Sequence, residues 1–237
     1  HWTFENLHIR GACSTHEKCD HAFHIVGSAA HFISRNNTIT DFNAHFKING
    51  MRGAFPDHGL VESNTISNGS VRNTHSPVTP VDLVTASDWT FRGNIISDFI
   101  KGSGDRISYG AYAKGGGSGN RFMRNVIVCE DKLRGARGQR VGLSFGGGGT
   151  GKSYCRDQRC VTEQDGGVIE SNLIASCSDE GIYLNRAATT TVVHNTLVDT
   201  AGLSARWPET SADIHGNIVD GRIAGRHPAA VGDLHLV

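Results

Sequence analysis

The sequence predicts an all-β fold, a solenoid in which short strands stack coil upon coil, and three observations support this prediction. One template recurs along the chain: an apolar residue, two variable residues, an asparagine, another variable residue and an apolar residue. Each copy is followed by a variable turn and then by a short alternating strand, often led by glycine. No stretch shows the hydrophobic period of a helix.

The template occurs six times, and its successive asparagines lie between 22 and 47 residues apart. A helical-hairpin repeat has a length fixed by packing, whereas this variable length fits stacked strands joined by turns of different sizes. The six asparagines are Asn64, Asn94, Asn125, Asn172, Asn195 and Asn217. Asn37 and, more loosely, Asn6 are interpreted as two earlier copies.

Asparagine suits this position for two reasons. It tolerates the left-handed backbone conformation that sharp corners need, and its amide can bond to the asparagine of the next coil. We therefore expect an asparagine ladder through about seven or eight coils. A β-sandwich with coincidental asparagine turns is the alternative.

On this repeat, nearly the whole chain resembles the right-handed parallel β-helix proteins of the pectate-lyase-like superfamily. The resemblance implies three strands per coil, with the asparagine in the tight turn between the second and third strands. It also implies that substrate lies along the outer face of the first strand, under long loops. We expect one domain over residues 1–237, with a long loop insertion at about 129–166. Because this fold carries lyases, hydrolases, epimerases, esterases and adhesins, it does not decide the function.

Composition limits the partners. Lys+Arg and Asp+Glu both number 23, so the net charge indicates no nucleic-acid partner. No apolar run approaches the roughly 20 residues that a membrane span requires, and we expect a monomer. The chain begins at His1 inside a predicted strand and shows no signal peptide, as expected of a mature or trimmed form.

Six cysteines form an even set without CxxC or zinc-site spacing. The pairs Cys13/Cys19 and Cys155/Cys160 each bracket a short polar stretch, which predicts two loop disulfides. Disulfides indicate an oxidising compartment, so we expect a secreted, periplasmic or extracellular protein. Six free thiols in a cytosolic protein are the alternative.

A third disulfide follows from the repeat. Cys129 comes four residues after Asn125, and Cys177 comes five residues after Asn172. These two cysteines should therefore lie side by side in adjacent coils, and we predict that they are bonded.

Seven five-residue segments, each following a variable turn, set the predicted register of the groove strand. Their second and fourth positions are apolar and should point inward, so the third and fifth should point outward. The third positions are His24, Lys47, Asp82, Tyr112, Ser144, Tyr183 and Ser204. The fifth positions are Val26, Asn49, Val84, Lys114, Gly146, Asn185 and Arg206.

This outward face is rich in cations and aromatic rings, and we expect Tyr112 and Tyr183 to face water. Aromatic faces stack on sugar rings, and cations attract carboxylates, so the face predicts an acidic polysaccharide as substrate. Lys47, Asp82, Tyr183, Asn185 and Arg206 are the predicted substrate-binding residues. A solvated sheet of ordinary polar residues is the alternative.

Lys, Tyr and Arg suit β-elimination from a uronic acid, which needs a base, an acid and a cation beside the carboxylate. We predict Lys114 as the base, Tyr112 as its neighbour on the same strand and Arg140 as the neutralising cation. A lysine base needs a lowered pKa, for which we expect crowding by other cations. Gly146 should leave room for a sugar above Lys114.

The β-helix lyases that the chain resembles use Lys or Arg as base, mostly with bound calcium. Their local motifs do not match this chain residue by residue, so no catalytic residue is carried over from them. Calcium is left open: Asp82 could hold it or could orient a lysine, but no carboxylate cluster marks a site. The histidines His16, His21, His24 and His45 lack ligand spacing.

Other functions remain open. A glycoside hydrolase normally needs two carboxylates, and the outward face supplies only Asp82. A uronan C5-epimerase, a hydrolase on a similar substrate and a noncatalytic glycan-binding β-helix are the alternatives. The glycine run 146–149 superficially resembles a phosphate-binding loop, but no helical pattern follows it, so nucleotide binding is disfavoured.

Overall fold

Three eight-stranded sheets, all parallel, run along the molecule in the computed structural model, which describes residues 1–147 and 150–225. The chain passes from sheet A to sheet B to sheet C in each coil. This architecture is the predicted right-handed parallel β-helix. Two residues of the glycine run, Gly148 and Gly149, lie outside the described residues, as does the segment 226–237.

The strands divide among the sheets as follows. Sheet A contains Trp2–Glu5, Phe32–Arg35, Leu60–Glu62, Thr90–Arg92, Arg121–Met123, Val168–Glu170, Thr190–Val193 and Ala212–His215. Sheet B contains His8–Arg10, Thr38–Thr40, Thr65–Ser67, Ile95–Ser97, Val126–Val128, Leu173–Ala175, Thr196–Val198 and Ile218–Val219. Sheet C contains His21–Val26, Ala44–Asn49, Val81–Val84, Ile107–Lys114, Gln139–Phe145, Ile182–Asn185, Gly202–Arg206 and Arg222–Gly225. A short fourth sheet pairs Gly117–Ser118, Gln164–Asp165 and Ala187–Ala188, and two single-turn 3₁₀ helices span His16–Lys18 and Lys152–Tyr154.

The corner between sheets A and B has the same length in every coil, because only two residues separate the strands there. The first of the two adopts the left-handed conformation, as at Arg124 (φ 53°) and Ser171 (φ 56°). The second is the repeat asparagine. The expectation that the asparagine itself takes the left-handed conformation was therefore wrong: its role is the ladder, and the residue before it makes the turn.

The asparagine ladder is continuous from Asn37 to Asn217. From Asn64 onward, each ladder asparagine before Asn217 donates from Nδ2 to Oδ1 of the next one, at 2.9–3.0 Å. The backbone N–H of each asparagine before Asn217 donates to the same oxygen. These paired bonds satisfy buried polar groups that would otherwise cost about 1–3 kcal/mol each.

The first coil departs from this pattern. Leu7 occupies the ladder position, and its N–H donates to Asn37 Oδ1 at 2.9 Å. Asn6 (φ 58°) makes the corner instead, and its Oδ1 accepts a hydrogen bond from Asn36. Asn6 therefore belongs to the corner and not to the ladder.

The core fills the space between the three sheets, and the predicted inward positions of sheet C contribute to it. Phe46, Ile48, Leu83 and Phe145 have no exposed surface, and burial of each such side chain contributes roughly 1.5–3 kcal/mol. Aromatic rings also contact one another within and between coils. The contacting pairs include Phe23–Phe46, Phe32–Trp89, Trp89–Phe91, Phe91–Phe122 and Phe122–Phe145.

All three predicted disulfides are present: Cys13–Cys19, Cys129–Cys177 and Cys155–Cys160. The second joins adjacent coils, as the repeat predicts. Within the part of the chain that the structure describes, no helix has the length and apolar character needed to cross a membrane.

Candidate functional site

The outward positions of sheet C form one column, as predicted, but loops cover much of it. Lys47 pairs in register with Asp82, and Asp82 with Tyr112. Tyr112 is only 4% exposed and Tyr183 only 8%. The expectation that both tyrosines face water was therefore wrong, because the turns that connect the strands fold over this face of the sheet.

A cavity of about 780 Å³ lies between this column and the covering turns. Sheet C supplies His21, His24, Lys47, Asn49, Asp82, Tyr112 and Lys114 to its wall. Much of the rest of the wall comes from turns 50–55 and 150–158. These turns contribute Arg52, Phe55, Tyr154 and Arg156.

Asp82 is the anion of this cavity. Its Oδ2 lies 2.9 Å from Lys47 Nζ, and its side chain is only 3% exposed. Its Oδ1 is buried and has no hydrogen-bond partner among the described residues. Burial and, next, the Asp82 carboxylate raise the pKa of Tyr112 well above its ordinary value, so that the phenol keeps its proton at neutral pH.

Lys114 lies beside this pair, with Nζ 4.5 Å from the centre of the Tyr112 ring. It forms no ion pair with the described residues. Its pKa is lowered, first by burial and then by Lys47, while Asp82 and Glu163 oppose the shift. Burial, and not the expected crowding by cations, is therefore the main cause of this lowered pKa.

Arg156 anchors the loop that covers the cavity. Its two terminal nitrogens donate to the two carboxylate oxygens of Asp57, both at 2.8 Å. Its guanidinium lies 4.2 Å from the centre of the Phe55 ring. The Cys155–Cys160 disulfide closes the same loop, so a bidentate pair and a covalent bond hold the cover in place.

Gly146 does not provide room for a sugar. Its φ is 73°, and a Cβ atom there would lie 1.7 Å from the carbonyl oxygen of Asn185 in the next coil. Gly146 is therefore required for close coil packing. The next residue, Gly147, lies against Lys114, since a Cβ there would meet its Cδ at 2.7 Å.

Arg140 lies at the other end of its strand and outside this cavity. It is 3% exposed and forms a buried ion pair with Glu130. Its Nη2 also donates to the carbonyl oxygen of Ala136 at 2.6 Å. The structure does not bring Arg140 to Lys114. Arg140 lies near the start of the strand Gln139–Phe145, and five further residues of this strand follow it before the end that is close to Lys114.

Tyr183 and Arg206 line a second cavity, of about 270 Å³, with Tyr109, Asp179 and Glu180. Asn185 is buried beside it and donates from Nδ2 to the Tyr183 hydroxyl at 3.0 Å. The rings of Tyr109 and Tyr112 are in contact, with centroids 5.5 Å apart, and lie between the two cavities. The predicted site residues are thus divided between two neighbouring cavities.

Sequence reasoning missed the residues that the turns contribute, namely Arg52, Phe55, Tyr154 and Arg156. They lie outside the aligned segments and follow no period. One signal was available for the last two: a disulfide-closed loop beside the groove strand indicates an ordered cover.

The donors in the large cavity do not suit calcium, which prefers six to eight oxygen ligands. Asp82 is its one carboxylate, and Lys47 already engages it. Among residues 1–147 and 150–225, no group of three or more His, Cys, Asp or Glu side chains is placed to hold a metal ion.

Comparisons of the chain with known protein families, with curated proteins and with solved structures gave no match.

Proposed function

We propose that this protein is a secreted polysaccharide lyase that cleaves a uronate-containing glycan by β-elimination in the large cavity over sheet C. The observation that carries the proposal is Lys114, a partly buried amine that forms no ion pair with the described residues and whose pKa is lowered, in the wall of that cavity. The resemblance to the pectate-lyase-like superfamily is compatible with this reaction class but does not select it. The three disulfides support an oxidising compartment.

The charge of the cavity supports an acidic substrate. Lys47, Arg52, Lys114 and Arg156 line it, and Asp82 is the one acidic residue in its wall among residues 1–147 and 150–225. Even with Arg156 assigned to Asp57, Lys47 to Asp82 and Lys114 acting as the neutral base, the cation of Arg52 remains for the substrate. A uronate carboxylate would therefore meet an excess of positive charge.

In the proposed reaction, neutral Lys114 removes the proton from C5 of the uronate, next to the carboxylate. The C5–H electron pair forms the C4–C5 double bond as the C4–O glycosidic bond breaks. The departing oxygen takes a proton from Tyr112, which burial keeps protonated. Lys47 and Arg52 stabilise the charge that develops on the carboxylate, and Arg140 takes no part.

The carboxylates favour this reaction over hydrolysis. Glu163 lies near Lys114 but is only 1% exposed, and its Oε2 accepts hydrogen bonds from the Gly115 N–H and the Thr150 hydroxyl. Asp82 is engaged by Lys47. Neither is free to act as the second carboxylate that a hydrolase requires.

The test is incubation with a panel of uronate polymers while ultraviolet absorbance is recorded, because elimination creates a conjugated double bond. Lyase activity produces a steady increase with at least one polymer. Cleavage without absorbance indicates a hydrolase, and inversion at C5 without cleavage indicates an epimerase. Binding to a polymer without any of these changes indicates a noncatalytic protein; each of these three outcomes overturns the proposal.

A further inference from the structure

A third cavity, of about 300 Å³, lies outside sheet C, at the turns that lead from sheet B. The Cys13–Cys19 loop forms one side, and residues 69–72 form another. The charged and titratable side chains in its wall are Arg10, His16, Asp41 and Arg72. The proposed lyase reaction uses none of them.

Arg72 is the unusual member of this wall. It is 2% exposed, yet it forms no ion pair with the residues that the structure describes. Its Nε donates to Asn43 Oδ1 at 3.1 Å, whereas its Nη2 is buried and has no hydrogen-bond partner. A buried guanidinium of this kind is costly unless an anion compensates it.

The carboxylate in the same wall is already engaged. Asp41 Oδ2 accepts from Arg10 Nε at 3.0 Å, and its Oδ1 accepts from the N–H of Gly69 at 2.8 Å. Asp41 therefore bonds directly to Arg10 and acts on Arg72 only through space, and no described residue forms an ion pair with Arg72.

His16 adds a further donor. Its Nδ1 accepts a hydrogen bond from the N–H of Asn73 at 2.9 Å, which places the hydrogen of the neutral ring on Nε2. The disulfide and this bond fix the loop that carries His16. Two arginines and a histidine with a ring N–H thus line one preformed cavity.

We propose that this cavity is a binding site for an oxyanion of the sulfate or phosphate class, held by Arg72 with Arg10 and His16. Arg72 contributes the charge and an unused N–H donor, a combination that suits a multiply charged oxyanion. The ligand is either the free ion or such a group on a larger molecule. The site is independent of the proposed lyase activity.

Calorimetric titration with sodium sulfate, in a chloride buffer of constant ionic strength, tests this proposal. We expect saturable binding by the unchanged protein and at least tenfold weaker binding by Arg72→Gln. The matched control is Arg137→Gln, which removes an exposed arginine elsewhere and should bind as the unchanged protein does. Absence of saturable binding to the unchanged protein would overturn the proposal.

Arg10→Gln is a second variant, since the Arg10 side chain is 73% exposed and its loss should not prevent folding. It frees Asp41 to compensate Arg72, so we expect weaker sulfate binding here too. If Arg72→Gln fails to fold, this variant decides, and unchanged affinity contradicts the site.

Denaturant unfolding supplies an independent measurement. At a sulfate concentration roughly ten times the Kd, the ratio of folded to unfolded protein should rise about elevenfold from binding alone. Sulfate also stabilises proteins by exclusion from their surface, so the reference is the Arg10→Gln variant in the same salt. Equal stabilisation of both proteins overturns the proposal.

A sulfated monosaccharide distinguishes the two sources of the oxyanion. If it competes with inorganic sulfate and binds more tightly, the group is borne by a glycan. If inorganic sulfate alone binds, the ligand is the free ion. Both results support the oxyanion site, whereas binding of the sugar without competition places it elsewhere and contradicts this assignment.

Discussion

The amine of Lys114 and the ring of Tyr112 are in direct contact, with Nζ 4.5 Å from the ring centre. The two residues occupy alternate outward positions of one strand. Contact with the ring favours the ammonium form, while burial favours the neutral amine and is the largest cause of the lowered pKa of Lys114. The pair therefore combines a readily deprotonated amine with a phenol that retains its proton.

Replacement of Lys114 by methionine should reduce the rate of elimination by about 10²–10⁴-fold, the usual contribution of a general base. The free energy of unfolding should not fall, since methionine fills similar space and removes a partly buried charge. The measurement is the rate of ultraviolet absorbance increase beside urea unfolding. Lys132→Met, at an exposed lysine, is the control. Full activity in Lys114→Met would remove Lys114 from the mechanism.

Activity should rise with pH as Lys114 loses its proton, and Asp82→Asn should move this rise to lower pH. Asp82 favours the ammonium form of Lys114, and its loss also leaves Lys47 uncompensated, so both effects lower the pKa of Lys114 further. The measurement is kcat/KM against pH for both proteins. Asp213→Asn, at an exposed site, should leave the profile in place. A shift to higher pH would show that another group titrates.

Replacement of Asn125 by alanine should lower the free energy of unfolding by about 3 kcal/mol, because the Asn94 N–H and Nδ2 donors both lose their acceptor. Leu7→Asn provides the opposite case, since an amide at this position can donate to Asn37 and begin the ladder one coil earlier. We expect it to be neutral or stabilising by up to about 1 kcal/mol. Urea unfolding measures both changes. Equal losses in the two variants would contradict the ladder's role.

Acid should destabilise the protein through His45. This histidine has no exposed surface, its Nε2 lies 3.2 Å from the Ser67 carbonyl oxygen, and its Nδ1 has no hydrogen-bond partner among the described residues. Burial and, to a smaller extent, Arg72 lower its pKa to about 3, against the opposing effects of the Ser67 carbonyl and Asp41. Because the folded pKa lies below the unfolded one, stability is complete above about pH 6.5 and falls as pH decreases towards 3.

The decrease from His45 alone should reach about 2 kcal/mol at pH 5. The measurement is urea unfolding at several pH values for the unchanged protein and for His45→Gln. His45→Gln should show a smaller decrease, whereas His8→Gln, at an exposed histidine, should match the unchanged protein. Parallel profiles for the unchanged protein and His45→Gln would show that His45 does not control the acid response.

The repeat made most of the fold predictable, because each ladder asparagine bonds to the asparagine of the next coil and so occupies the same position of the template. In the first coil the ladder position was assigned to Asn6, one residue before the correct position, Leu7. Only the N–H of Leu7 is needed to satisfy Asn37 there, so the sequence carries no asparagine signal at that position. The Cys129–Cys177 bond was predictable for the same reason as the ladder, since both cysteines follow template asparagines.

The alternating pattern of the sheet C strands placed Lys47, Asp82, Tyr112 and Lys114 correctly on one face, since successive side chains of a strand point to opposite faces. This alternation does not reveal what covers that face. The cover depends on contacts between distant turns, such as Arg156 with Asp57, which are 99 residues apart. The prediction brought Arg140 too close to Lys114. The five-residue segment 142–146 did not show that the strand begins at Gln139, which places Arg140 at the strand end away from the cavity.

The constant two-residue corner between sheets A and B has a consequence for how such a molecule can diversify. Insertions there would interrupt the asparagine ladder, because they would shift the asparagine away from its partners in the adjacent coils. The other two corners range from short links to the long excursion between Phe145 and Val168, without disturbing the stacking of the strands. These corners can therefore change in length and carry new surface features, as the segment with Cys155 and Cys160 does.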